Sequence, residues 1–163
     1  MWAATVSGMA TIRPARPEEA AALTALCIRS KAHWGYDAGF MRQAEAALTI
    51  SEAMIEAGRV LVAESHEGTV FGVVAVEAVD GAGGFDLARL FVDPSAIRTG
   101  IGQALFAAAV RIAAGEGGKS LSILADPFAE AFYKKLGAVR IGEAPSDAIP
   151  GRVLPLLEYR IAD

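Results

Sequence analysis

Between Arg59 and Val79 the chain reads "RVLVAESHEGTVFGVVAVEAV", two apolar runs joined by His66-Glu67-Gly68. A polar, glycine-bearing turn between runs rich in β-branched residues is a hairpin signal. An antiparallel pair in mid-chain breaks the strict strand–helix alternation of a doubly wound sheet. Helices still flank it. "TIRPARPEEAAALTALCIRSKAHW" opens on a short strand, and Pro17-Glu18-Glu19 then starts a helix. Proline loses no hydrogen bond at a first turn, and acids there face the positive end of the helix dipole. Leu23, Leu26, Cys27 and Ser30 recur at three-and-four spacing, so this helix buries one face. Asp37 opens a second short helix, and Ser51-Glu52 a third that ends at Gly58.

Beyond the hairpin, "GFDLARLFV" follows the 81–84 loop as a further strand. Gly100 to Ala114 carries Ile101, Leu105, Ala108, Ala109 and Ile112 on one helical face. "KSLSILA" has the low charge of a central strand. "FAEAFYKKLGA" is a helix closed by Lys134-Lys135 and Gly137, a cation-then-glycine stop. Strands near 138–142 and 153–160 enclose the loop "EAPSDAIPG". The expected fold class is α/β: a single domain over residues 10–163, with a mixed, mostly antiparallel sheet of about seven strands flanked by helices. Residues 1–9 are read as a disordered extension, with Met9 as the natural start.

The chain is long enough for one well-formed core and too short for two. Its 163 residues carry a net charge of −4 and a pI near 5.2. That balance argues against a nucleic-acid partner, which needs a basic face. Cys27 is alone, so no internal disulfide and no thiolate zinc site is possible, and its apolar helix face marks it as packing. His33 and His66 are too few for a histidine metal cluster; no metal is expected. The N-terminus has no basic segment before its short apolar run, and no stretch reaches the length of a membrane span. The expected setting is the cytoplasm, with no membrane partner.

"VDPSAIRTGIGQALF" runs from a strand through Gly100 and Gly102 into a helix. A helix N-terminus has unpaired N–H groups and partial positive charge, and glycine lets a phosphate approach them. Two glycines alone fit a structural turn as well as a phosphate site. A dinucleotide fingerprint fits badly, because it needs three glycines in the first strand–helix unit. A P-loop is excluded, since no Gly-Lys-Ser/Thr follows.

"LFVDPSAIRTGIGQALF" followed by "DPFAEAFYKKLGA" resembles the GCN5-related N-acetyltransferases. Their first motif, Arg/Gln-x-x-Gly-x-Gly/Ala, cradles the diphosphate of acetyl-CoA, and their later Asn-x-x-Ala-x-x-Phe-Tyr-x-x-x-Gly helix lies beside the thioester. Asp126, Ala129, Phe132, Tyr133 and Gly137 fall on the second pattern in register. The order of elements also matches from Thr11 to Ile161, and one turn, "SDAIPGRVLP", resembles bacterial members. Two positions depart: Ile97 replaces the usual Arg or Gln, and Asp126 the usual Asn.

The resemblance implies acetyl-CoA as co-substrate and a direct transfer to a primary amine of a small molecule or peptide. It places Arg98, Thr99, Gly100, Ile101, Gly102 and Gln103 on the diphosphate. Leu90, Phe91 and Val92 fall on the pantetheine arm, with Asp126 and Ala129 nearby. Tyr133 becomes the acid that protonates the departing thiolate, and Asp86 the base, acting on the amine through water; Asp86 also fits a solvated strand-start carboxylate, and Glu77 and Glu64 are weaker bases. His33, Trp34 and Tyr36 lie where the family builds its acceptor wall, or anchor a helix–helix turn. Arg152 meets an acidic acceptor or caps a loop. A homodimer is compatible with the resemblance. The alternative function is a non-catalytic acyl-CoA-binding or regulatory domain of the same fold, motivated by Ile97 and Asp126.

Overall fold

The computed structural model describes residues 4–6, 10–79 and 83–162. Its strands are β1 (Ala4–Val6), β2 (Ala10–Pro14), β3 (Val60–Ser65), β4 (Val70–Ala78), β5 (Gly84–Val92), β6 (Ser120–Leu124), β7 (Val139–Pro145) and β8 (Val153–Arg160). They form one sheet in the order β1-β2-β3-β4-β5-β6-β8-β7, in which β5 and β6 run parallel and the other neighbours antiparallel. The helices are α1 (Ala20–Ala32), α2 (Ala38–Leu48), α3 (Glu52–Glu56), α4 (Ile101–Gly115) and α5 (Glu130–Lys135). This is the mixed, mostly antiparallel α/β architecture expected. One more strand is present than the pattern predicts: β1 pairs with β2 through Ala4 opposite Ile12, inside the stretch read as an extension. The rest of residues 1–9 lies outside the described residues.

Local chemistry explains the helix starts. Asp37 Oδ1 accepts from the Phe40 N–H at 2.8 Å to open α2, and Ser51 Oγ accepts from Met54 at 3.1 Å to open α3. The hairpin closes at the predicted turn, with the Ser65 N–H donating to the Thr69 carbonyl at 2.8 Å.

The apolar runs of β3 and β4 are continuous because both faces of the sheet are covered. Leu61, Ala63, Val74 and Val76 point into a core with Ile101, Leu105, Ala109 and Ile112 of α4. Val60, Val62, Val73 and Ala75 point the other way, against Leu23, Leu26, Cys27, Leu48 and Ile55 of α1–α3. Cys27 is fully buried there, and burial pushes its thiol up to about 12, in keeping with packing. Helix α4 sits close to the sheet because Gly72 has no side chain. A Cβ at that position would stand 2.7 Å from Leu105 Cδ1 and 3.0 Å from Ile101 Cγ2.

The sheet has one discontinuity. Strand β5 pairs with β6 only over Gly84–Asp86 and Ser120–Ser122. Past those pairs β5 stays on β4 and β6 stays on β8, so the two strands separate. Strand β5 also bulges: Ala75 faces Arg89 and Val76 faces Leu87, which leaves Ala88 without a partner.

Candidate active site

The gap between β5 and β6 opens into a cavity of about 1010 Å³. Its length runs from the start of α4, along the inner edge of β5, to the loop between β7 and β8.

At the first end the chain turns sharply after β5. Asp93 Oδ1 accepts from the Ser95 N–H at 3.0 Å, while Asp93 Oδ2 is paired with Arg29 of α1 at 2.9 Å. Arg98 and Gly100 both adopt left-handed backbone, with φ of 65° and 88°. Arg98 carries that cost as a non-glycine residue; Gly100 does so freely. The turn delivers the chain to α4, whose first helical bond is Ala104 N–H to the Gly100 carbonyl at 3.1 Å. The N–H groups of Ile101, Gly102 and Gln103 therefore have no carbonyl ahead of them in the helix. The space beyond Gly100 is open: a Cβ there would meet nothing within 4 Å. Arg98, Gly100, Gly102 and Gln103 line the cavity. Thr99 and Ile101 do not, since the Thr99 hydroxyl donates to the Ala96 carbonyl and the Ile101 side chain is core.

Leu90, Phe91, Val92 and Ala129 line the middle section with Tyr133. Tyr133 is 7% exposed and packs against Phe106 and Phe132, with ring centroids 6.0 and 5.1 Å away. Its phenol makes no hydrogen bond among the described residues. Burial first, and the Asp126 carboxylate second, hold it protonated well above the usual phenol range.

The far end carries acids. Asp86 and Glu77 sit opposite each other on β5 and β4, and both line the cavity with Asp147. Burial, then the charges of Glu77 and Asp147, raise the Asp86 carboxyl above the ordinary range.

Between these ends Asp126 gathers three partners. Its Oδ2 accepts from Lys31 Nζ and from the Tyr36 hydroxyl at 2.8 Å, and lies 3.7 Å from Arg152 Nη2. Oδ1 caps the turn before α5 by accepting from the Phe128 N–H at 2.9 Å. Burial works against this carboxylate's charge, but the Lys31 hydrogen bond and the others outweigh it, so Asp126 sits below the usual range. Aromatic rings flank the cluster. Tyr36 stacks on Phe40 at 4.0 Å and Trp34 on Phe128 at 5.0 Å, while Arg152 Cζ lies 4.8 Å from the Phe40 ring centre.

The fold thus brings Tyr133, Asp86, Asp126, Trp34 and Arg152 to one cavity with the glycine turn. Tyr36 joins through Asp126 and Arg152, and exposed His33 meets the edge of the Trp34 ring. Sequence reasoning missed Lys31, Phe40, Phe128 and Arg89. A signal existed for Lys31: a carboxylate at Asp126, where the family pattern has an amide, needs a cation. Among the described residues no three His, Cys, Asp or Glu are placed to hold a metal, and no helix is long and apolar enough to cross a membrane.

The profile of the acetyltransferase (GNAT) domain family matches residues 56–137, which span β3 to the end of α5 and include both motifs. The chain belongs to the GNAT acetyltransferase family. Solved GNAT-fold structures agree. A GCN5-related N-acetyltransferase from Rhodopseudomonas palustris superposes with a TM-score of 0.72 at 23% identity, over 98% of each chain. PaiA N-acetyltransferase from Thermoplasma acidophilum, solved with coenzyme A, gives 0.72 at 17% identity over 91% of this chain and 97% of that one. YncA from Salmonella typhimurium, solved with acetyl-CoA, gives 0.68 at 21% over 94% and 95%. At these identities they establish the GNAT fold. No curated protein sequence matches the chain.

Proposed function

We propose that this GNAT domain transfers an acetyl group from acetyl-CoA directly to a primary amine of a small molecule or peptide. The observation that carries the reading is the single cavity in which the α4 N-terminus, the unpaired inner edge of β5, Tyr133 and Asp86 all take part. Structures of the same fold solved with coenzyme A or acetyl-CoA support it.

The residues fit such a co-substrate. The free N–H groups at Ile101, Gly102 and Gln103, with the helix dipole behind them, suit a diphosphate, and Gly100 leaves that space open. Arg98 adds a cation at the same mouth. Among the described residues the inner edge of β5 at Leu90–Val92 has no strand beside it, so its backbone can pair with an extended arm as an added strand would. Ala129 leaves room beside Tyr133.

Acetyl-CoA supplies the activated acyl group; the chain supplies position and protons. Tyr133 holds its proton throughout the neutral range and donates it to the departing sulfur. Asp86 accepts a proton from the amine through water, and its raised affinity for protons makes it a better base than a free carboxylate. Trp34, Tyr36 and Arg152, with Phe40 and Phe128, wall the acceptor side; His33 stands at the rim.

Isothermal titration with acetyl-CoA tests the reading, with Gly100→Asp in parallel, followed by thiol release against a panel of amines. Binding lost in Gly100→Asp, together with turnover, supports it. Binding without turnover of any amine favours the non-catalytic acyl-CoA-binding alternative. No binding by folded protein removes both.

A further inference from the structure

Arg89 is half-buried on β5 and lines the cavity. Its Nη1 donates to the Ala88 carbonyl at 2.9 Å and its Nη2 to the Thr49 carbonyl at 3.1 Å. Its Nε is buried and has no hydrogen-bond partner. Two neutral carbonyls thus fix the guanidinium, and among the described residues no carboxylate pairs with it. The neighbouring cations differ: Lys31 and Arg152 both turn to Asp126. A partly buried guanidinium with its Nε donor unmet and no counter-charge beside it is a natural partner for a carboxylate.

The bulge decides what Arg89 faces. On a regular strand, residues 86 and 89 would point to opposite faces. The extra residue at Ala88 restores them to one side: Asp86 stands opposite Glu77, and Arg89 opposite Ala75, whose side chain packs with α1–α3. Asp86 and Arg89 are therefore on the same face, about 10 Å apart along the strand at the usual rise per residue. Across from them, the walls are Ala44, Ala47 and Leu48 of α2 and Leu154 and Leu156 of β8. The site offers a proton acceptor, a fixed unpaired cation and an apolar surround.

Resting on the acetyl-transfer reading above, we propose that the acceptor is an amino acid with an apolar side chain, its carboxylate held by Arg89 and its amine directed toward Asp86. Arg89 is then the specificity-determining residue of the acceptor site.

The test compares molecules that differ only in the carboxylate: L-leucine against 3-methylbutylamine, and L-phenylalanine against 2-phenylethylamine. Thiol release from acetyl-CoA is followed for native protein, Arg89→Gln and Arg89→Lys, and acetyl-CoA is titrated into each to establish that it is folded. The expected native preference for the amino acid is about 100-fold or more in kcat/KM, because a site built around a charged group strongly rejects the analogue lacking it. In Arg89→Gln that preference collapses at least about tenfold, chiefly through KM, and Arg89→Lys falls between, keeping the charge without the paired donors. Equal turnover of both members of each pair, or a preference that survives Arg89→Gln, overturns the proposal and leaves acetyl transfer standing. Acetyl-CoA bound with no turnover of either amino acid overturns it as well. Absence of acetyl-CoA binding removes the underlying reading and this inference with it.

Discussion

Arg152 donates from Nη2 to the Tyr36 phenol at 2.8 Å, although the two residues are 116 positions apart. The same phenol donates to Asp126 Oδ2 at 2.8 Å. One hydroxyl thus ties the α1–α2 connection, the turn before α5 and the β7–β8 loop into a single wall. Burial first, and the Asp126 hydrogen bond next, push that phenol up to about 12, so it remains a donor at neutral pH. The hydrogen-bonding capacity of Tyr36 is used inside the wall, and its ring is what faces its neighbours.

Asp126→Asn keeps the cap on Phe128 but removes the charge that Lys31 and Arg152 share. A hydrogen bond to a charged group is worth about 2 kcal/mol, and urea denaturation at pH 7 should show a loss of that order. The pH dependence has a definite sign. The folded carboxyl titrates below the ordinary range, so the native state binds fewer protons than the unfolded chain in between. The stabilisation is present above the ordinary aspartate value of about 3.9 and is lost as pH falls through the folded value. The native-to-variant difference should therefore shrink on acidification.

Tyr133→Phe should lower the transfer rate by about 100-fold or more while leaving acetyl-CoA affinity intact, since proton donation and not binding is removed. The phenol has no hydrogen-bond partner to orphan, so the thermal midpoint should hold or rise slightly. Unchanged turnover would show that the proton comes from elsewhere.

Asp86→Asn should slow transfer to strongly basic amines far more than to amines already neutral at the assay pH. In the native protein the rate should climb with pH through the raised Asp86 titration. Stability moves the opposite way. A carboxyl whose folded pKa is raised binds more protons when native, so its contribution falls as pH rises between the ordinary and the folded value. Asp86→Asn should accordingly be no less stable than the parent at neutral pH, which paired melting curves would check.

Gly72→Ala places a methyl 2.7 Å from Leu105 Cδ1, closer than real Cβ atoms come, and 3.0 Å from Ile101 Cγ2. Overpacking of this kind costs about 1–3 kcal/mol. Because the same helix carries the N–H groups at Ile101–Gln103, the variant should lose acetyl-CoA affinity as well as stability, read by calorimetry and denaturant together.

The fold was largely legible because its signals are local. Helix starts at Asp37 and Ser51, the turn at Gly68 and the stop at Gly137 each depend on a few adjacent residues. Strand β1 escaped because three residues of "ATV" without periodicity carry no such signal, and only pairing with β2 defines them. At the site, the glycine turn and Tyr133 lie within compact motifs. Lys31, Phe40 and Arg89 matter through partners 40 to 112 residues away or through a bulge, and no spacing rule records either. Arg89 in particular reads as an ordinary strand residue until the register reveals that Ala88 is skipped.

The short β5–β6 ladder has a mechanical meaning. Strands β1 to β5 form one blade and β6, β8 and β7 another, and within the described sheet three residue pairs at one end join them. A chain-like molecule lying in the gap would lend its own backbone to both blades and turn a hinged pair into one stiff plate. Occupancy would then be written into amide exchange at Ile123 and Leu124, as slower opening of a seam that the bare protein leaves unsewn.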